Sequence, residues 1–160
     1  MKDLSILVSQ IEEELQLLQR TISRIQSQVK KAKTTNDEDY WHAVAANLVS
    51  FYTGMENIFK LIANNLDNYL PQGADWHIQL LRQMQTGNSY RPAVIQSETL
   101  QLISEYRSFR HVFMNNYALN LDSTKLDLLA QKLPVTYDHL HKDMKSFAEI
   151  ILKINGELQS

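Results

Sequence analysis

Cysteine is missing altogether from the 160 residues. Its absence excludes a disulfide framework, a thiolate metal site and a cysteine nucleophile, and is compatible with a reducing interior. Helix breakers are scarce too, with four glycines and three prolines, most of them gathered in the intervals between apolar stretches. No glycine-rich phosphate loop occurs among them, so the chain is not itself a nucleotidyltransferase. Long apolar runs are also lacking. The first hydrophobic segment, Leu4 to Leu18, is interrupted by Glu12, Glu13 and Glu14, and nothing approaches the roughly 20 apolar residues that a membrane span requires. The expectation is a cytoplasmic chain, neither secreted nor membrane-spanning. A net charge of −2 exerts no global pull on nucleic acid, so any RNA contact has to be made by a local cluster of cations. There is no internal repeat and no low-complexity segment. The length suits one domain, 1–160, large enough to bury a core without disulfides or a structural metal.

What is present is helical periodicity: apolar residues recur at steps of three and four, not two. Leu4, Val8, Ile11, Leu15, Leu18, Ile22, Ile25 and Val29 alternate those steps and predict one long helix over about 2 to 33, with Lys30, Lys31 and Lys33 where a C-terminal dipole favours cations. After a polar break at 34–39, the stripe Val44, Leu48, Phe51, Tyr52, Met55, Ile58, Phe59, Ile62 and Leu66 predicts a second helix over about 38 to 67, in which Gly54 points to close packing. Trp76, Leu80, Leu81 and Met84, set between Pro71, Gly73 and Gly87, predict a short helix between two loops. A helix over about 97 to 118 follows, with Ser97 as N-cap and Glu98 in its first turn. A short helix over 123–133 comes next, and the last helix, after Pro134, repeats the spacing of the first. The predicted fold is all-α, an antiparallel helical bundle of about five helices in which the first and last pack together.

On the wheel of the 97–118 helix, Leu102, Ile103, Tyr106, Phe109, Phe113, Met114 and Tyr117 define an apolar arc, and Arg110 falls inside it. A guanidinium there needs a reason. It reaches an acid, for which Glu56 at the edge of the second helix's stripe is the candidate, or it snorkels outward, or it marks an interface or an anion site. Arg107, Arg110 and His111 together make a small basic patch, readable as a solvated face or as an RNA contact. Tyr117 reads as a core or an interface tyrosine. Trp76 and His77 are expected to pack a loop against the bundle. His42, His139 and His141 show no ligand spacing, so neither a metal nor a cofactor is expected.

The segment Arg110-His-Val-Phe-Met-Asn-Asn-Tyr117 resembles the R-x4-H-x-Y motif of HepT-like ribonuclease toxins in the HEPN superfamily, with Asn115 in the histidine's place. In the same order, Phe51 to Phe59, Leu70 to Gly73 with Trp76 and His77, Leu80-Leu81, Met84, Arg91-Pro92 and Leu119 to Asp122 also resemble these toxins. The likeness spans about 38 to 140. It implies a HEPN-like bundle that forms a homodimer, with two motif helices making a cleft that cuts RNA without a metal. It further implies a nucleotidyltransferase-fold (MNT) antitoxin as partner, in a type VII-like toxin–antitoxin pair, neutralising the toxin by AMPylation of the motif tyrosine. Carried onto this chain, Arg110 holds the scissile phosphate and Tyr117 accepts AMP, with Glu56, Arg107 and His111 in support. Residues 110 and 115 stand about 140° apart around an ideal helix, which fits a cleft shared between two copies or a frayed helix end.

Asn115 is the departure from the pattern. An amide does not titrate near neutral pH as imidazole does. It can still donate hydrogen bonds to a phosphorane oxygen, with His111 or the second copy supplying protons. The alternative is a catalytically inactive HEPN module that binds RNA or the nucleotidyltransferase through the same helix.

Overall fold

The computed structural model describes residues 3–116 and 120–159, the last two by their backbone only. Among them are six α-helices: α1 (Leu4–Thr35), α2 (Glu38–Ile62), α3 (Trp76–Gln85), α4 (Ser97–Met114), α5 (Ser123–Gln131) and α6 (Leu133–Gln159). Four are long, α3 and α5 are short, and no strand is assigned among the described residues, so the all-α bundle is what the chain forms. No helix among them is long and apolar enough to cross a membrane.

The α1–α2 hairpin follows directly from its capping residues. Asp3 accepts from the Ser5 N–H at 2.9 Å at the start of α1, and Asn36 ends that helix in the left-handed region at φ 54°, a conformation asparagine tolerates. Asp37 then accepts from the Asp39 N–H at 2.9 Å, and Glu38 and Asp39 sit in the first turn of α2, where the helix dipole favours acids. With only two residues between them, the helices turn back on each other and pack along their lengths. The expected seam is the buried one: Val8, Ile11, Leu15, Leu18, Ile22 and Ile25 all face the core. Each such side chain contributes about 1.5–3 kcal/mol by burial. A Cβ on Gly54 would stand 2.6 Å from Leu18 Cδ2, which is the close approach its position in the stripe predicted. The first and last helices do meet, although the main partner of α1 is α2. Pro134 lies in the first turn of α6, where its missing N–H has no helical partner to lose.

A π turn, Ala63–Asp67, closes α2 and delivers Asp67 to Arg91. Nε and Nη2 of Arg91 reach the two carboxylate oxygens at 2.8 and 2.7 Å. Its remaining donors go to the carbonyls of Thr86, Pro92 and Gln83 at 3.0–3.1 Å. Gln83 and Asn88 also donate to Asp67, at 2.7 and 3.0 Å. Burial alone would raise the Asp67 carboxyl, but these hydrogen bonds and the Arg91 charge outweigh it and hold it below its usual range. One ion pair thereby fastens the segments on either side of α3 and fixes the entry of that helix.

Candidate functional site: three ionisable groups on core-facing stripes

Three helices each turn one ionisable side chain toward the core. On α2, Glu56 lies one turn after Tyr52 and next to Met55, all three buried. On α3, His77 precedes Leu80, Leu81 and Met84, the buried stripe of that helix, by three, four and seven residues. On α4, Arg110 follows buried Tyr106 and Phe109. Packing brings the three stripes together and the polar ends into register: Glu56 Oε2 meets His77 Nδ1, and Arg110 Nη1 lies 3.2 Å from His77 Nε2.

The proton positions follow from elementary donor chemistry. A guanidinium has only donors and keeps its charge, so Arg110 donates and His77 Nε2 must accept; the imidazole proton then sits on Nδ1 and goes to Glu56. This is a neutral imidazole of fixed tautomer between a carboxylate and a cation. Exposure rises outward along the chain of bonds, from 3% for the Glu56 side chain to 23% for that of His77. A carboxylate so deeply buried is tenable only when paired. Tyr52 is fully buried beside it; burial first, and then the Glu56 charge, push its phenol above the ordinary range, while Arg107 and Arg110 pull the other way. It stays protonated and is no nucleophile.

Arg110 is less completely served than Glu56. Its Nε is buried and has no hydrogen-bond partner among the described residues, a deficit of about 1–3 kcal/mol. Trp76 covers the imidazole, ring centroids 3.5 Å apart, and Lys60 Nζ stands 4.5 Å from the Trp76 ring centroid, an arrangement favourable for a cation over an indole face. Lys60 is one turn beyond Glu56 on α2, so Lys60, Arg107 and Arg110 bring cations from two helices to this end of the bundle.

The site differs from sequence expectation in four respects. The direct Glu56–Arg110 pair is replaced by one with His77 inserted, because the first turn of α3 packs against both α2 and α4. The α4 helix ends at Met114 and not at 118; Asn115 occupies the turn and donates from Nδ2 to the His111 carbonyl at 2.7 Å, satisfying one of the carbonyls a helix end leaves free. Met114, placed on the apolar arc, is 60% exposed, while Phe113 beside it packs partly against the core. Ser97 is the first residue of α4 rather than its cap, with Gln96 before it and its hydroxyl accepting from Gln85 at 3.0 Å. Asn115 Nδ2 is also 3.4 Å from His111 Nδ1. Asn115 and His111 are both exposed, and Arg107 is half-buried. Tyr117 lies outside the described residues.

His77, which its place between two loops suggests is mere packing, is the residue that joins Glu56 to Arg110. Its signal was available: it continues the Leu80, Leu81 and Met84 stripe by one turn, as Arg110 continues its own. A cavity of about 740 Å³ lined by Trp41, His42, Asn120 and others contains no member of this cluster. Among the described residues, no three histidine, aspartate or glutamate side chains group so as to hold a metal ion.

A family model described as HepT-like protein matches residues 43–151. No curated protein and no solved structure gives a match. The matched span runs from the middle of α2's first half to the second half of α6 and takes in Glu56, His77 and Arg110. With well over half of its length so matched, the chain belongs to the HepT-like family.

Proposed function

We propose that this protein is the toxin of a toxin–antitoxin pair, a metal-independent endoribonuclease acting as a homodimer. Membership of the HepT-like family supports a HEPN toxin-type function. The observation that carries the reading to RNA is Arg110, a half-buried guanidinium whose Nε has no partner among the described residues. A phosphodiester oxygen answers that deficit, since arginine binds phosphate through paired, charge-assisted hydrogen bonds. A dimer-shared cleft suits the chain because Arg110 is turned toward α3, whereas His111, Asn115, Val112 and Met114 are exposed on the end of α4. A second copy docked there would meet apolar surface and bring its own polar groups. Neutralisation by a nucleotidyltransferase-fold antitoxin that transfers AMP to Tyr117 completes the proposal.

A second reading is favoured by Asn115. Its amide cannot exchange protons and is bonded to its own helix, which suits a silent module that binds RNA or the nucleotidyltransferase. The test uses the purified chain and an Asn115→His variant, each incubated with RNA in excess chelator. Cleavage by both supports the endoribonuclease, cleavage by the variant alone supports the silent module, and cleavage by neither removes the family mechanism. Incubation with ATP and the antitoxin is expected to add AMP to Tyr117, and a mass spectrum locating it elsewhere would refute that assignment.

A further inference from the structure

We infer that His77 is the proton-accepting group of the RNA site, held ready by Glu56 and masked by Arg110 until a phosphate draws the guanidinium away. The inference rests on the endoribonuclease reading and adds a residue that lies outside the R-x4-H-x-Y segment.

Three observations support it. First, if the polar contacts only neutralised Glu56, a direct ion pair with Arg110 would suffice. The fold instead inserts an imidazole, the one side chain whose ordinary titration falls near neutral pH. Second, Glu56 on Nδ1 fixes tautomer and ring orientation, as a buried carboxylate does for the histidine of a hydrolytic triad. It leaves the basic lone pair on Nε2, the ring nitrogen that faces Arg110. Third, that lone pair is occupied by Arg110 Nη1 at 3.2 Å, and this bond is replaceable. An anionic phosphate oxygen is a stronger acceptor for a guanidinium than a neutral ring nitrogen. A phosphodiester that recruits Arg110, engaging Nε as well, therefore frees Nε2 within a hydrogen bond's reach of the bound group. Free enzyme keeps its base covered. The charged groups that meet the imidazole are Glu56 from α2 and Arg110 from α4; Lys60 stands beyond it over the Trp76 ring, and Arg107 acts on Tyr52 beside Glu56.

The step balances with RNA and water alone. His77 Nε2 takes the proton of the ribose 2′-hydroxyl, and the 2′-oxygen bonds to the adjacent phosphorus. The bond from phosphorus to the 5′-oxygen breaks, its electron pair stays on that oxygen, and water supplies the proton it needs. The products are a 2′,3′-cyclic phosphate and a 5′-hydroxyl end, and His77 releases its proton to solvent. Asn115, which cannot exchange a proton, is not required to.

The decisive variant is His77→Gln. The glutamine amide donates through nitrogen and accepts through oxygen, so it can replace both contacts of the ring, but it carries no exchangeable base. Cleavage of single-stranded RNA in chelator is compared for the wild-type chain, His77→Gln and His77→Ala, the last with and without added imidazole, and folding is checked by circular dichroism. The expected result is a loss of about 10²–10⁴-fold in rate for His77→Gln, RNA affinity within about threefold of wild type, and partial recovery of His77→Ala by imidazole. A folded His77→Gln chain that cleaves within a few fold of wild type overturns the role of His77 and leaves the endoribonuclease reading standing. Absence of cleavage by the wild-type chain sinks that reading and this inference with it. Should His77→Ala fail to fold, the glutamine variant still decides.

Discussion

Two arginines in this bundle are buried to different degrees and treated in opposite ways. Arg91 is closed off, its side chain fully buried, and its donors are divided between both oxygens of Asp67 and three carbonyls. Arg110 is half-buried and makes its hydrogen bond to one imidazole nitrogen, and its Nε has no partner among the described residues. A guanidinium with every donor answered by its own chain has nothing left to offer a ligand, so Arg91 fastens loops. One with donors in reserve, behind a partly exposed histidine, is poised for an anion. The difference in hydrogen-bond completeness, more than the charge or the burial, is what the proposed phosphate contact of Arg110 rests on.

The contrast can be broken most forcefully at Asp67. Asp67→Ala leaves Arg91 charged and buried, and should lower the unfolding free energy by about 3–5 kcal/mol, read by denaturant titration. Arg110→Ala should behave in the opposite way. Removing its bond to His77 loses about 1.5–3 kcal/mol, and removing the buried Nε returns about 1–3 kcal/mol, so the two largely offset and stability should change by less than about 2 kcal/mol. RNA affinity should fall about ten- to a hundredfold through the lost charge-assisted contact.

Acid sharpens the comparison further. The Asp67 carboxyl is held below its usual value of 3.8, so its folded form binds a proton less readily than its unfolded form. Its contribution is complete above about pH 4 and is lost as pH falls through the depressed value. Wild-type protein should therefore lose stability more steeply below pH 4 than Asp67→Ala, and parallel acid curves would contradict the pairing. The smallest effect belongs to Lys60→Met. It leaves the Trp76–His77 stack in place but removes the cation above it, which should lower stability by about 0.5–1 kcal/mol.

Most of the fold was legible because a helix records its buried face in spacing. The α1 seam, the extent of α2 through its π turn and the crowding at Gly54 could each be read from apolar steps and one small residue. Where the sequence misled, tertiary context decided. Phe113, Met114 and Tyr117 keep helical spacing in the sequence, which predicts a helix to 118, while the chain leaves α4 at Met114. Arg110 and Glu56 were singled out correctly as charges on apolar stripes. Their connection through His77 depends on the first turn of α3 packing against both longer helices, which periodicity within a segment does not encode. His77 carried the same kind of signal as Arg110, but on a helix of only ten residues flanked by loops, where it was read as packing. The Asp67–Arg91 pair left no trace at all, since residues 24 apart share no helical face.

The most direct test of the contrast is to watch both arginines at once. Nitrogen-15 NMR of the Arg Nε–H resonances during titration with a 2′-deoxy-substituted RNA oligonucleotide, which binds but has no 2′-hydroxyl to react, should shift the Arg110 signal and leave that of Arg91 in place. If Arg110 does not move while the oligonucleotide binds, or if Arg91 moves in its stead, the assignment of Arg110 as the phosphate-binding group is wrong.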